Sequence, residues 1–239
     1  MGTMHDVRAG TWRLAASLIL AGVLASIAAG IFHAETHDAN DHVAAFTAYA
    51  NSSIWTAVHL GQFIGMALVG AGLVSLGAGL DLHPNTLAWT ARFGALSAAV
   101  AVALHAALQA VDGVALKQAV DAWAAAPENE KAARFATAEG IRWLEWGMRS
   151  YQSFLLGTAL VLLGVVVAAV RHVSRIIGIL MALSGLAYLV QGWIIGESGF
   201  SDANSLPTLA GLAAVAAWTV WLFVSALRMK ETTAAGHRG

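Results

Sequence analysis

The chain contains no cysteine, which removes disulfides, thiolate metal sites and cysteine-ligated iron–sulfur clusters together. It is also poor in charge: 11% of its 239 residues are Asp, Glu, Lys or Arg, against 58% that are hydrophobic. That leaves too little polar surface to coat a soluble globule of this size, so lipid must supply the missing solvent. A net charge of -1 offers nothing to a nucleic-acid partner. Internal repeats and low-complexity stretches are absent as well.

What is present is a series of long apolar runs: Trp12 to Phe32, Trp55 to Leu80, Leu87 to Val111, Ile141 to Val170, Ile176 to Ile195 and Pro207 to Leu227. Each reaches the roughly 20 residues that a spanning helix needs, and barrel strands are about half as long and alternate in polarity. The first run exceeds the roughly 7 to 15 apolar residues of a signal-peptide core, so a retained helix is expected and no targeting peptide. The fold class expected is all-α: a polytopic membrane protein, one transmembrane domain over 1–239, with six helices and connections at 33–54, 112–140 and 196–206 on the outer side.

Orientation follows from Lys and Arg in short loops, because positive residues resist translocation. Arg8 and Arg13, Arg171 and Arg175, and Arg228, Lys230 and Arg238 mark one side, which is expected to be cytoplasmic together with both termini. His33, Glu35, His37, Asp38, Asp41, His42, Glu197 and Asp202 mark the other. The segment after the third run carries both signs, with Lys117, Lys131 and Arg134 against Asp121, Glu128 and Glu130, and only the count of crossings places it outside.

The connections near Asp81 to Asn85 and Arg171 to Ser174 are tight, whereas two outer ones are long. Asn40 or Asp41 can cap a short helix from His42 to Ala50 with Val43, Phe46 and Tyr49 as its apolar stripe. Val114 to Ala125 and Pro127 to Ala138 read as two further short helices, with Gly140 at the start of the fourth span. Together these segments form either a lid or interfacial struts.

Polar residues inside the spans are costly in hydrocarbon and face the bundle interior or a hydrated cavity. His59 and Gln62 fall in the first two turns of the second span, and His105, Gln109 and Asp112 in the last two of the third. Arg142, Glu145, Arg149 and Gln152 open the fourth, and Tyr188, Gln191 and Glu197 close the fifth. All belong to one outer layer, while the inner halves hold little beyond Arg92. His105, Gln109 and Asp112 are at i, i+4 and i+7, and the fourth-span set steps by three, four and three, so each forms a stripe. Gly65, Gly70 and Gly72 permit close approach of a neighbouring helix or flat ligand, and Trp55, Trp143 and Trp146 read as an interfacial belt or a stacking surface.

Three chemistries fit this layer. Haem b between His59 and His105, with Arg142 and Arg149 for its propionates, would make an electron-transfer protein. A divalent metal fits among His59, His105 and Glu145, or in His33, His37, Asp41 and His42, where the alternative is a solvated linker. A small molecule, lipid headgroup or ion could bind at His59, Gln62, His105, Gln109, Arg142, Glu145, Arg149, Gln152 and Gln191, with Glu145 and Arg149 as an i, i+4 ion pair. Full transport would require polar groups nearer the midplane and inner half. Against all three stands a structural role, as an accessory subunit of a membrane complex or a homo-oligomer whose small-residue faces, Gly22, Ala25 and Ala29 or Ala210, Gly211 and Ala214, make close contacts.

The segments Val111-Asp112-Gly113-Val114-Ala115-Leu116-Lys117, Ala-Trp-Ala-Ala-Ala-Pro ending at Pro127, and Arg142-Trp143-Leu144-Glu145-Trp146-Gly147 resemble those of an uncharacterised family of six-helix bacterial inner-membrane proteins. The resemblance implies a bacterial inner-membrane location and six helices, and carries no activity, cofactor or catalytic residue. Asp112 and Lys117, where these segments are densest, read as a helix terminus with a surface charge partner worth well under about 1 kcal/mol.

Overall fold

The computed structural model describes residues 9–33, 39–80, 86–170 and 173–229. His37, the connection 81–85, and Arg8, Arg171, Lys230 and Arg238 lie outside the described residues. Among the described residues the regular elements are all helices: α1 (Ala9–Ile31), α2 (His42–Asn51), α3 (Trp55–Ala78), α4 (Thr86–Ala110), α5 (Lys117–Ala124), α6 (Glu128–Ala169), α7 (Arg175–Ser198) and α8 (Ser205–Arg228). A π-helical turn, Val111–Leu116, joins α4 to α5. Six of the resulting helical units are long and apolar enough to cross a bilayer, so the chain is an integral membrane protein built as an all-α polytopic bundle.

Each long helix packs on the next, and α8 returns to α1, so the six form a closed ring in chain order. Arg13 fastens the closure by donating from Nη2 to the Met229 carbonyl at 2.6 Å. The ring is tightest where glycine meets backbone. A Cβ on Gly22 of α1 would lie 2.5 Å from the Gly65 carbonyl oxygen of α3, and one on Gly164 of α6 would lie 2.6 Å from the Gly178 carbonyl oxygen of α7. The glycines that were open to either a helix or a ligand are thus spent largely on helix contacts within one chain.

The end of the bundle where α1 begins and α8 finishes is filled by apolar side chains. Trp12, Ile19, Leu73, Leu76, Leu163, Ile177, Met181, Trp218 and Leu222 are all buried in one cluster. The opposite end carries α2. That short helix starts at Asp41, whose side chain accepts from the Ala44 N–H as an N-cap, and its Ala45, Phe46 and Tyr49 pack with Trp55, Leu116, Val120 and Ala138.

The connection expected at 112–140 is helical over most of its length. No loop interrupts that region beyond a short turn. The third span continues through the π turn to Ala124, 39 residues in all, and the fourth begins at Glu128 and runs for 42. Val114 to Ala125 and Pro127 to Ala138 are therefore extensions of the spanning helices, and Gly140 lies inside α6 rather than at its start. The Asp-Gly pair at 112–113 looks like a helix stop, but the wider π turn absorbs it without breaking the hydrogen-bonded ladder. At about 1.5 Å per residue α6 is roughly 60 Å long, about twice the hydrocarbon thickness, so its first turns and α5 project beyond the bilayer and give α2 a surface to dock on.

Candidate functional site

The polar layer surrounds a cavity of ≈ 660 Å³ at the α2 end of the bundle, lined among others by His33, Tyr49, Gln62, Gln109, Asp112, Arg142, Glu145, Arg149 and Thr208. Of the nine residues expected to bind a ligand, Gln62, Gln109, Arg142, Glu145 and Arg149 line this space. His59, His105 and Gln152 are buried behind it, and Gln152 Oε1 accepts from Arg149 at 3.4 Å. Gln191 ties α7 to α8 by donating to the Pro207 carbonyl at 3.3 Å and lies outside the lining.

The charge pairing departs from the expected one. Glu145 pairs with Arg142, three residues earlier, at 2.5 Å, and not with Arg149. The buried Glu145 carboxylate thus meets the buried one of its two neighbouring arginines. Arg142 also donates weakly to the Ala39 carbonyl at 3.4 Å and lies over the rings of Tyr49 and Phe200, at 5.6 and 5.0 Å. It thereby holds the segment before α2 and the α7–α8 connection against the mouth of the cavity. His42 Nδ1 meets Glu139 Oε1 at 2.8 Å, a second tie between α2 and α6.

Asp112 is the residue the sequence undervalued. It does not pair with Lys117, which instead meets Asp121 at 2.6 Å and the Ala50 carbonyl at 3.1 Å. The π turn swings Asp112 inward, where Oδ2 lies 2.9 Å from His59 Nε2. Trp55 Nε1 donates to the Asp112 main-chain oxygen at 2.9 Å, and Thr56 donates to that of Gly113 at 2.8 Å, pinning the turn to the head of α3. Gly113 is required there: a Cβ would stand 2.5 Å from His59 Cβ. The signal available in sequence was the aspartate itself, placed within a span and next to a glycine.

Trp55 is fully buried, stacked between Tyr49 and His59 at 4.1 and 4.3 Å, so it serves the site rather than an interfacial belt. Trp143 is exposed, as a belt residue should be. Of the metal ligands expected from sequence, Asp41 caps α2, His42 is held by Glu139 and Glu145 by Arg142, while His37 lies outside the described residues. A haem iron between His59 and His105 would compete with the Asp112 carboxylate, whose Oδ2 lies 2.9 Å from His59 Nε2.

Tyr49 sits on α2, outside the spanning helices. Burial, opposed by the Arg142 guanidinium, pushes its phenol up to about 12 from an ordinary value of 10.0. The neutral phenol is therefore favoured in the folded state. Its contribution to stability is intact below pH 10 and is lost as pH rises from about 10 through about 12. Titration followed at the phenolate absorbance should show a late phase that Tyr49→Phe removes. If Tyr49→Phe removes no late phase, the ring is not buried as described.

Comparisons with protein-family models, with curated proteins and with solved structures give no match, so the reading of the site rests on its own residues.

Proposed function

We propose that the chain is a binding protein of a bacterial inner membrane, with both termini cytoplasmic and the cavity open to the outside, and that its ligand is a small molecule or lipid headgroup bearing an anionic group. The orientation is supported by the distribution of Lys and Arg, which favours the end opposite α2 as the cytoplasmic one. Binding is favoured over passage by the apolar cluster from Trp12 to Leu222, which fills the end of the bundle opposite the cavity.

The observation that carries the ligand class is Arg149. It lines the cavity, makes no ion pair among the described residues, and has only the long contact to Gln152 as a hydrogen bond there. A guanidinium part-buried among helices is expensive unless an anion or water meets it. Gln109 and Asp112 line the same cavity, and their Oε1 and Oδ1 are buried without hydrogen-bond partners among the described residues, so a ligand with an anionic end and a hydrogen-bond donor would satisfy both sets. Arg142 is unavailable for this role because Glu145 already neutralises it.

The test is thermal unfolding of the purified protein with inorganic phosphate and, separately, glycerol phosphate as probes. Ligand present at about 100 times its dissociation constant stabilises by about 2.7 kcal/mol. The expected result is a rise in Tm with at least one probe that Arg149→Gln weakens by about 10- to 100-fold in probe concentration, as for a lost charged hydrogen bond of about 1.5–3 kcal/mol. A response to glycerol phosphate alone identifies a headgroup-like ligand, and a response to both identifies a simple phosphate site. An unchanged Tm, or one that shifts equally in Arg149→Gln, overturns the reading.

A further inference from the structure

The atoms around His59 carry a second, separate inference. His59 Nδ1 lies 2.8 Å from the Trp55 carbonyl oxygen, which can only accept, so Nδ1 bears the hydrogen. In the neutral ring the lone pair is then on Nε2, and Nε2 is the atom that faces Asp112 Oδ2 at 2.9 Å. Two acceptors would be pointed at one another inside the bundle. A proton, on the ring or on the carboxyl, or a metal cation must therefore join them.

The surroundings favour a cation. His33, just beyond α1, places its ring 5.3 Å from that of His59, and the ligand-capable atoms of His33, His59 and Asp112 all lie within 4.8 Å of one another. Asp112 Oδ1 is buried and has no hydrogen-bond partner among the described residues. Two imidazoles and a carboxylate are a donor set suited to zinc and other first-row divalent ions. Ligand atoms bound to one ion at about 2.0–2.2 Å stand roughly 3–4 Å apart, so a spread within 4.8 Å needs only local side-chain movement. The Nδ1–H to carbonyl bond is the support that metal-ligating histidines ordinarily have, since it fixes the tautomer and aims Nε2.

We propose that His33, His59 and Asp112 form a divalent transition-metal site whose remaining coordination position faces the cavity. His33 and Asp112 both line that space, so a water or a cavity ligand can complete the shell. The π turn, Gly113 and the hydrogen bonds from Trp55 and Thr56 are then the devices that hold the carboxylate at the imidazole. This site does not depend on an anion at Arg149.

The experiment is titration of the chelator-stripped, detergent-purified protein with Co²⁺, read by its ligand-field absorption, followed by displacement with Zn²⁺. The expected result is one ion per chain, with affinity reduced at least about 100-fold in His59→Gln and Asp112→Asn, beyond the 10- to 100-fold typical of lost supporting groups. His33→Gln provides the same test without leaving a buried carboxylate opposite a lost partner, so a folding failure of the other two does not block it. His42→Gln, whose ring is tied to Glu139, is expected to bind Co²⁺ as the parent does. Absence of a stoichiometric Co²⁺ spectrum, or one that survives in His33→Gln, overturns the proposal and leaves His59 and Asp112 as a protonated ion pair. The phosphate response at Arg149 is measured without added metal, so either result can fail alone.

Discussion

Glu145→Ala is expected to destabilise the folded protein by about 3–5 kcal/mol, the cost of leaving one member of a buried ion pair without the other. Glu145 and Arg142 are both buried, and beyond Glu145 the guanidinium meets the long bond to Ala39, the Tyr49 side chain and the Phe200 ring. Its Nε lacks a partner among the described residues. Glu145→Gln keeps an acceptor near Arg142 and should cost less, about 1–3 kcal/mol. Replacing the pair together, as Arg142→Met with Glu145→Leu, should recover most of the loss, because neither charge then has to be desolvated. The check is apparent Tm in one detergent across the three variants and the parent. A single Glu145→Ala variant that unfolds with the parent would show that water, not Glu145, compensates Arg142. The double variant should also loosen the cavity mouth, since Arg142 holds the segment before α2.

The second large effect is expected at the α6–α7 contact. A Cβ on Gly178 would lie 2.4 Å from both the Ala168 nitrogen and the Gly164 carbonyl oxygen. Those atoms are backbone on a packed helix and cannot rotate away, so Gly178→Ala must separate the helices. Overpacking of this kind costs about 1–3 kcal/mol and occasionally more, and backbone on both sides puts Gly178 toward the upper part of that range. Gly164→Ala meets the Gly178 oxygen and the Ala182 nitrogen at 2.6 and 2.7 Å and should behave alike. Gly147→Ala is the contrast: nothing lies within 4 Å of its Cβ, and the gain in helix propensity should stabilise by up to about 1 kcal/mol. Unfolding temperatures that rank Gly178→Ala at or above Gly147→Ala would contradict the close approach.

Both effects come from contacts across the bundle, and they divide what could be read in the chain from what could not. The spans were legible because length and polarity are local: about 20 apolar residues cross a bilayer whatever their neighbours do. The polar layer was legible for a related reason, since a glutamine or arginine in hydrocarbon must find a polar neighbour and similar depth limits the choices. Gln62, Gln109, Arg142, Glu145 and Arg149 follow from that argument alone and do line the cavity.

Pairing within the layer was not legible. Glu145 has an arginine three residues before it and another four residues after, and spacing accommodates both. The burial of Arg142 under Tyr49 and Phe200 decides for the first. The Asp-Gly at 112–113 has the local marks of a helix end, so Lys117 looked like its charge partner. The head of α3, more than fifty residues away, supplies the Trp55 and Thr56 hydrogen bonds that hold a π turn there. His33 looked like part of a histidine-rich loop motif, and only the docking of α1 against α3 brings it to His59.

The sequence by itself thus determined an all-α membrane bundle and the end of it that holds the polar chemistry, because both follow from the cost of placing polar groups in lipid. Tertiary structure alone decided which charges neutralise one another, that Asp112 faces His59, and that Arg149 is left toward the cavity. The reason is physical: hydrophobicity acts on each residue singly, whereas an ion pair or a ligand set exists only when two helices fix its members within about 3–4 Å.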